Sequence, residues 1–208
     1  MSGRVLWDVD TQVDFVSVSG KLAVPGAEAV RPAMARLVSW AAREDIVHLA
    51  SADDHELTDP ELSDEPDFAN TFPAHCLRGT PGAARIPETA QTDPLPLSLT
   101  PYPPGLVSAL IHDRRELLVL KKTYSVFSNP NVDPILDALD PDEVILFGVA
   151  TDVCDDAAIR GLLARGRQVT FVTDASRGLD ERRTASCLEA WRAGGVRFAT
   201  SAEIVSEG

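Results

Sequence analysis

Cysteine, lysine and long apolar runs are all scarce in this chain, and each scarcity excludes something. There are three cysteines, Cys76, Cys154 and Cys187. An odd number at irregular spacing is not a disulfide framework, and no CxxC pair of the zinc-finger kind occurs. At least one thiol is therefore expected to be free, which suits a reducing, cytoplasmic setting. No apolar run approaches the roughly 18 residues that span a bilayer. The opening MSGRVLWDVD runs straight into a strand-like segment, so no signal peptide is expected. Basic residues are outnumbered, and the net charge is −13. Phosphate contacts need clustered Lys and Arg, so neither nucleic acid nor an anionic membrane is an expected partner. Lysine is the rarest charge, three residues against sixteen arginines, and two of the three are the neighbours Lys121 and Lys122. A chain that otherwise uses Arg has a chemical reason for an ammonium there.

What is present reads as one domain over residues 1–208. At this length a fold buries roughly 70% of its unfolded surface, and 44% hydrophobic residues suffice for that. Apolar runs at 4–10, 45–51, 116–121, 143–149, 168–173 and 196–198 predict six strands. Helical spacing is expected over 26–43, where Ala29, Val30, Ala33, Met34, Leu37, Val38 and Ala41 line one side. Helices are also expected at 132–139, 152–164 and 180–193, with a weak signal at 104–114. Residues 53–115 otherwise form a long stretch rich in Pro, Asp and Thr, a length that in compact domains marks a functional or mobile loop. The strands are continuous apolar runs alternating with helices. That pattern predicts an α/β fold, a three-layer αβα sandwich around a mostly parallel six-stranded sheet. Ligands in such folds sit beyond the carboxyl ends of the strands.

Three of those ends carry chemistry. The first strand ends in Asp10, the one at 116–121 in Lys121, and the one at 143–149 leads to Cys154. An acid, an amine and a thiol together match a base, a cation and a nucleophile. Cys154 falls in the first turn of a predicted helix, where unpaired N–H groups and the helix dipole favour a thiolate or an oxyanion. Asp155 and Asp156 oppose a low thiol pKa, so the proton needs an acceptor such as Asp10. A neighbouring Lys121 would then hold Asp10 ionised. Strand alternation sends Lys121 and Lys122 to opposite faces, so one of them can reach Asp10, while Asp8 and Asp10 are expected to share a face.

A second cluster follows the second strand. Asp53 and His55, two residues apart in an extended segment, point the same way, and His75 sits in a Pro-containing turn able to return toward them. Asp, His and His form a donor set for zinc, iron or manganese with positions left open. An aromatic substrate would need flat apolar walls, for which Phe15, Phe72 and Tyr124 are candidates. His48 reads as a satisfied core residue, His112 as solvated, and Cys187 as helix packing.

These segments resemble the isochorismatase-like cysteine hydrolases. DTQVDF at 10–15 resembles the family's D-x-Q-x-D-F opening, KKTYSVF at 121–127 its lysine segment, and GVATDVC at 148–154 its nucleophile turn. GKLAVPGA at 20–27 resembles the entry to the first helix in nicotinamidases. The resemblance implies Asp10, Lys121 and Cys154 as a triad, oxyanion-hole amides at Ala150 and Cys154, and a cis peptide between Val149 and Ala150. It also implies the register that selects Asp10 over Asp8 and Lys121 over Lys122. D-x-H followed by P-x-H-C resembles the nicotinamidase metal motif, with a further ligand about six residues after the first His. That place is Glu61, with Asp54 and Glu56 as rivals and Cys76 as an outside candidate. Metal-free branches lack the two histidines, so the resemblance implies a nicotinamidase-like hydrolase of a small carboxamide, holding a divalent metal such as zinc and commonly homo-oligomeric. Phe72 stands where many nicotinamidases carry Trp, and the proline-rich segment 91–104 departs from the shorter ones. Alternatives within the superfamily are a ureide or carbamoyl amide hydrolase and an isochorismatase-type hydrolase. An alternative of another class is a non-catalytic binding protein that keeps the fold.

Overall fold

A computed structural model describes residues 3–207. The first strand, β1 (Arg4–Val9), runs into a single helical turn, α1 (Val13–Val16). A short 3-10 turn at Ala27–Val30 leads into α2 (Arg31–Arg43), followed by β2 (Val47–Asp53). After a long irregular stretch come β3 (Leu95–Leu97), α3 (Leu106–Ile111) and β4 (Glu116–Lys121). Next are α4 (Val132–Leu139), β5 (Glu143–Gly148) and α5 (Cys154–Ala164). The chain ends with β6 (Val169–Val172), α6 (Glu181–Ala193), β7 (Arg197–Ala199) and α7 (Ser201–Ser206).

The strands form one sheet in the order β3-β4-β2-β1-β5-β6-β7, and every pairing is parallel. The αβα architecture is as predicted, with seven strands rather than six. The extra strand is β3, inside the proline-rich segment. Pro96 offers no N–H to a ladder, so such a strand survives at a sheet edge, which is where β3 lies. Against one face pack α3 to α6, closing over Trp7, Leu49, Val119 and Leu146. Against the other pack α1, α2 and α7, closing over Leu6, Ile145 and Phe147. The apolar stripe of α2 supplies Met34, Leu37 and Trp40, all buried to within 1% of full coverage, and each such side chain contributes about 1.5–3 kcal/mol. The last helix starts with a capping box, the Thr200 side chain and Glu203 satisfying one another's backbone amides. Among the described residues no helix is long and apolar enough to cross a membrane.

The chain leaves β1 toward β2 on one side and reaches β5 on the other, so strand order reverses around β1. The carboxyl ends of β1, β2, β4 and β5 meet at this switch point, where doubly wound sheets bind ligands. Glycine is required at 148, the end of β5. Its φ is +146°, and a Cβ there would overlap the carbonyl oxygen of Val9.

Candidate active site

At the switch point a buried ammonium sits between two carboxylates. Lys121, in register with Asp53 on the adjacent strand, places Nζ 2.5 Å from Asp53 Oδ1 and 2.8 Å from Asp10 Oδ2. The same nitrogen donates to the Thr123 carbonyl at 3.1 Å and lies 3.9 Å from Cys154 Sγ. Ser51 Oγ donates to the other oxygen of Asp10 at 2.7 Å. The acid, amine and thiol singled out in the sequence are thus brought together, all of them buried.

Asp10 reaches this cluster by a departure from strand geometry. β1 ends at Val9, and Asp10 adopts a φ of +51°. The expectation that Asp8 and Asp10 share a face is therefore corrected. Asp10 joins Ser51 and Lys121, while Asp8 points to the opposite face, where Arg85 and His48 pair with it. His48 is accordingly a satisfied core residue, with Nε2 3.2 Å from Asp8. Cys154 is the first residue of α5, which starts two residues later than predicted. The peptide between Val149 and Ala150 is cis. Among the described residues no turn, loop or cap hydrogen bond is made by the amides of Ala150 and Cys154.

Burial sets the protonation states. It works against a charged Lys121, yet Asp10 and Asp53 outweigh it and hold the ammonium firmly protonated. It also works against a charged Asp53, but Lys121 and His75 keep that carboxyl well below the ordinary range. Asp10 goes the other way, as burial raises it despite Lys121, with Asp53 adding to the rise. Lys121 favours the ionised form of Asp10, while burial and the neighbouring Asp53 oppose it. Burial likewise drives the Cys154 thiol far up, with Lys121 opposing. A proton leaving the thiol needs an acceptor, and Asp10 is the raised-pKa carboxylate beside it.

The metal candidates also converge. Ligating atoms of Asp53, His55 and His75 lie within 4.8 Å of one another. His75 Nε2 is 3.4 Å and His55 Nε2 3.8 Å from Asp53 Oδ2, and Glu61 Oε2 is 3.8 Å from His55 Nε2. His55 Nε2 and Glu61 Oε2 are buried with no hydrogen-bond partner. Orphaned donor atoms facing one point at this depth are costly unless a cation satisfies them, so the residues fit a divalent metal. Burial and Asp53 push Glu61 up to about 7. Its rivals are committed elsewhere, Asp54 and Glu56 both to Arg78. The tight donor group is Asp53, His55 and His75; Glu61 borders it through His55, and Cys76, whose amide donates to Asp14 Oδ2 at 2.7 Å, is outside it.

Above the thiol opens a small cavity lined by Phe15, Phe72 and Tyr124, with Leu22, Val24, Val153 and Leu179 on its apolar wall. Asp53, Glu61, His75, Ala150 and Cys154 also face it. Several residues here were not assigned a role from sequence. Gln12 bridges Asp53, donating to its carbonyl at 2.8 Å and accepting from its amide at 2.7 Å. Asp14 anchors Cys76 and the amide of Lys21. Asp152, from the nucleophile turn, holds the amides of Leu179 and Asp180 at the cavity wall. All three lie inside the quoted motifs, which was the available signal. His112 is exposed, and Cys187 is buried in α6.

The fold and this grouping define a parallel αβα protein with an acid, an amine and a thiol assembled at the strand ends. The chain belongs to the isochorismatase family, whose domain model matches residues 96–203. It is 29% identical to the nicotinamidase/pyrazinamidase of Mycobacterium tuberculosis, covering 95% of this chain and 99% of the relative. It is 28% identical to the nicotinamidase of Escherichia coli K12, covering 86% and 85%. Among solved structures, the pyrazinamidase of Pyrococcus horikoshii in complex with zinc is similar in fold, with a TM-score of 0.73 at 22% identity over 95% of this chain and 99% of that one.

Proposed function

We propose that the protein is a cysteine-dependent amidohydrolase acting on nicotinamide or a closely related small heteroaromatic carboxamide. The chain is a hydrolase of carbon–nitrogen bonds. The observation that carries the finer reading is the position of Lys121 Nζ, 2.8 Å from Asp10 and 3.9 Å from Cys154 Sγ, beneath an aromatic-walled cavity. Asp10 takes the proton of the Cys154 thiol, and sulfur attacks the carboxamide carbon. The amides of Ala150 and Cys154 hold the oxyanion. Asp10 returns the proton to nitrogen as the C–N bond breaks, ammonia leaves, and a thioester remains. Water then attacks the thioester, giving up a proton to Asp10, and the acid is released as the thiol re-forms. Asp53, His55, His75 and Glu61 would hold a divalent ion, zinc or alternatively iron or manganese, which when bound supplies a Lewis acid for a substrate ring nitrogen or water.

The cavity wall supports a neutral substrate. Among the described residues no arginine or lysine lines it, so it offers no basic side chain to pair with a substrate carboxylate. Carbamoyl acids and isochorismate, which carry carboxylates, are less suited to it. The proposal extends to a cytoplasmic location, to one functional domain over residues 1–208, and to homo-oligomers. The three free thiols are compatible with that location. The test is ammonia release over a panel of amides by the protein and by Cys154→Ala. Loss of turnover on nicotinamide, with native circular dichroism and unchanged metal content, is the expected result. Activity retained in the variant excludes the cysteine mechanism.

A further inference from the structure

The two adjacent lysines at the end of β4 serve different neighbours. Lys121 is committed to Asp10 and Asp53. Lys122 donates to the Asp54 carbonyl and lies 3.1 Å from Asp59 Oδ2. That same oxygen of Asp59 is 3.1 Å from His55 Nδ1 and accepts from the Glu56 amide at 2.9 Å. The Asp59 amide donates back to the Glu56 carbonyl at 2.9 Å, which fixes backbone and side chain together. Three donors thus converge on one carboxylate oxygen.

The consequence falls on the fully buried imidazole of His55. A carboxylate facing Nδ1 requires the proton there, which leaves the lone pair on Nε2, the atom aimed at Asp53 and Glu61 without a partner of its own. His75 is oriented differently, by Nδ1 against the Pro73 carbonyl at 2.7 Å. We propose that Asp59, pinned by Lys122, is the positioning residue that sets the tautomer and aim of His55 and so tunes how tightly the site holds a divalent cation. A carboxylate behind a ligating imidazole raises its basicity and fixes its ring. Lys122 holds that carboxylate against Nδ1, and without the ammonium the Asp59 side chain can turn away from the imidazole. Arg78, by occupying Asp54 and Glu56, leaves Asp59 as the carboxylate against Nδ1. This inference rests on the metal site of the proposed function.

The test is zinc affinity by chelator competition, together with the visible spectrum of the cobalt(II)-substituted protein. Both are measured on the unaltered chain, His55→Ala, Asp59→Asn, Lys122→Met and the double variant. Asp59→Asn is expected to weaken zinc binding by about 10–100-fold and to shift the cobalt bands, with circular dichroism unchanged. Lys122→Met, whose side chain is 27% exposed and which keeps Asp59, is expected to weaken binding as well. The double variant should be no weaker than Asp59→Asn alone, because the lysine acts through the carboxylate. Wild-type affinity and spectrum in Asp59→Asn would overturn the role of Asp59, and additive losses would overturn the link to Lys122. Failure of the unaltered chain to bind zinc any better than His55→Ala would sink the metal site itself, and this inference with it.

Discussion

Lys121 and Asp53 face each other across two paired strands with nitrogen and oxygen 2.5 Å apart and no solvent exposure to speak of. Replacing Lys121 by Met leaves Asp10 and Asp53 as buried acids without a cation. Breaking such a group by removing one partner costs roughly 3–5 kcal/mol, measurable as a drop in the urea midpoint. Turnover should fall by about 10³-fold. Lys121→Arg should not restore it, since a planar fork cannot occupy the position of a point ammonium. A variant with native stability and turnover contradicts the bridging role.

Asp10→Asn should abolish amide hydrolysis and also change how stability depends on pH. In the native chain the Asp10 carboxyl is raised above its ordinary value of 3.8. A group raised on folding contributes its stability at low pH and loses it as pH climbs from the unfolded value through the native one. Asparagine does not titrate. The variant should therefore gain stability relative to the native chain as pH rises from acid toward neutrality, as chemical melts at several pH values will read. A constant difference across that range contradicts the assignment.

Stripping divalent metal with a chelator should lower the melting temperature and raise KM for a pyridine carboxamide more than it lowers kcat. Binding to the folded state alone adds about 2.7 kcal/mol at a hundredfold excess over Kd. For a chain of this size each kcal/mol moves Tm by about 2–4 °C. Added zinc should reverse both effects. A chelated protein with unaltered Tm and KM leaves the Asp53, His55 and His75 cluster without this role.

Gly148→Ala should damage folding rather than chemistry first. The new methyl group would overlap the Val9 carbonyl at a φ of +146°, at a cost of roughly 3 kcal/mol or more. Soluble yield and the denaturation midpoint are the measurements, and a midpoint unchanged from the native chain would contradict the close approach.

The parts of the fold that could be read in advance were those where burial dictates sequence. The apolar runs of β1, β2, β4, β5 and β6 lie between two helical layers, so their central residues are mostly hydrophobic, with polar residues at the ends and at the site. β3 could not be read because Leu95–Leu97 is short and contains a proline. α7 is short, and its one sequence signal is the capping pair Thr200 and Glu203. At the site, Asp10, Lys121 and Cys154 were legible as strand-end chemistry. The face on which Asp10 falls was not, because a positive φ breaks the period of two. Asp59 left no trace in the pattern, since an Asp four residues after a loop His reads as ordinary loop polarity. Only the folded path brings its oxygen to His55.

The lysines that close β4 diverge by a single position, one toward the thiol and one toward the carboxylate behind His55. Inserting or deleting one residue anywhere between Glu116 and Lys121 would rotate the strand's end and misplace both ammonium groups in the same event. The nucleophilic and cation-holding halves therefore share one mechanical dependency. Length variation in this family of sheets should be tolerated in the segment before β3 long before it is tolerated in β4.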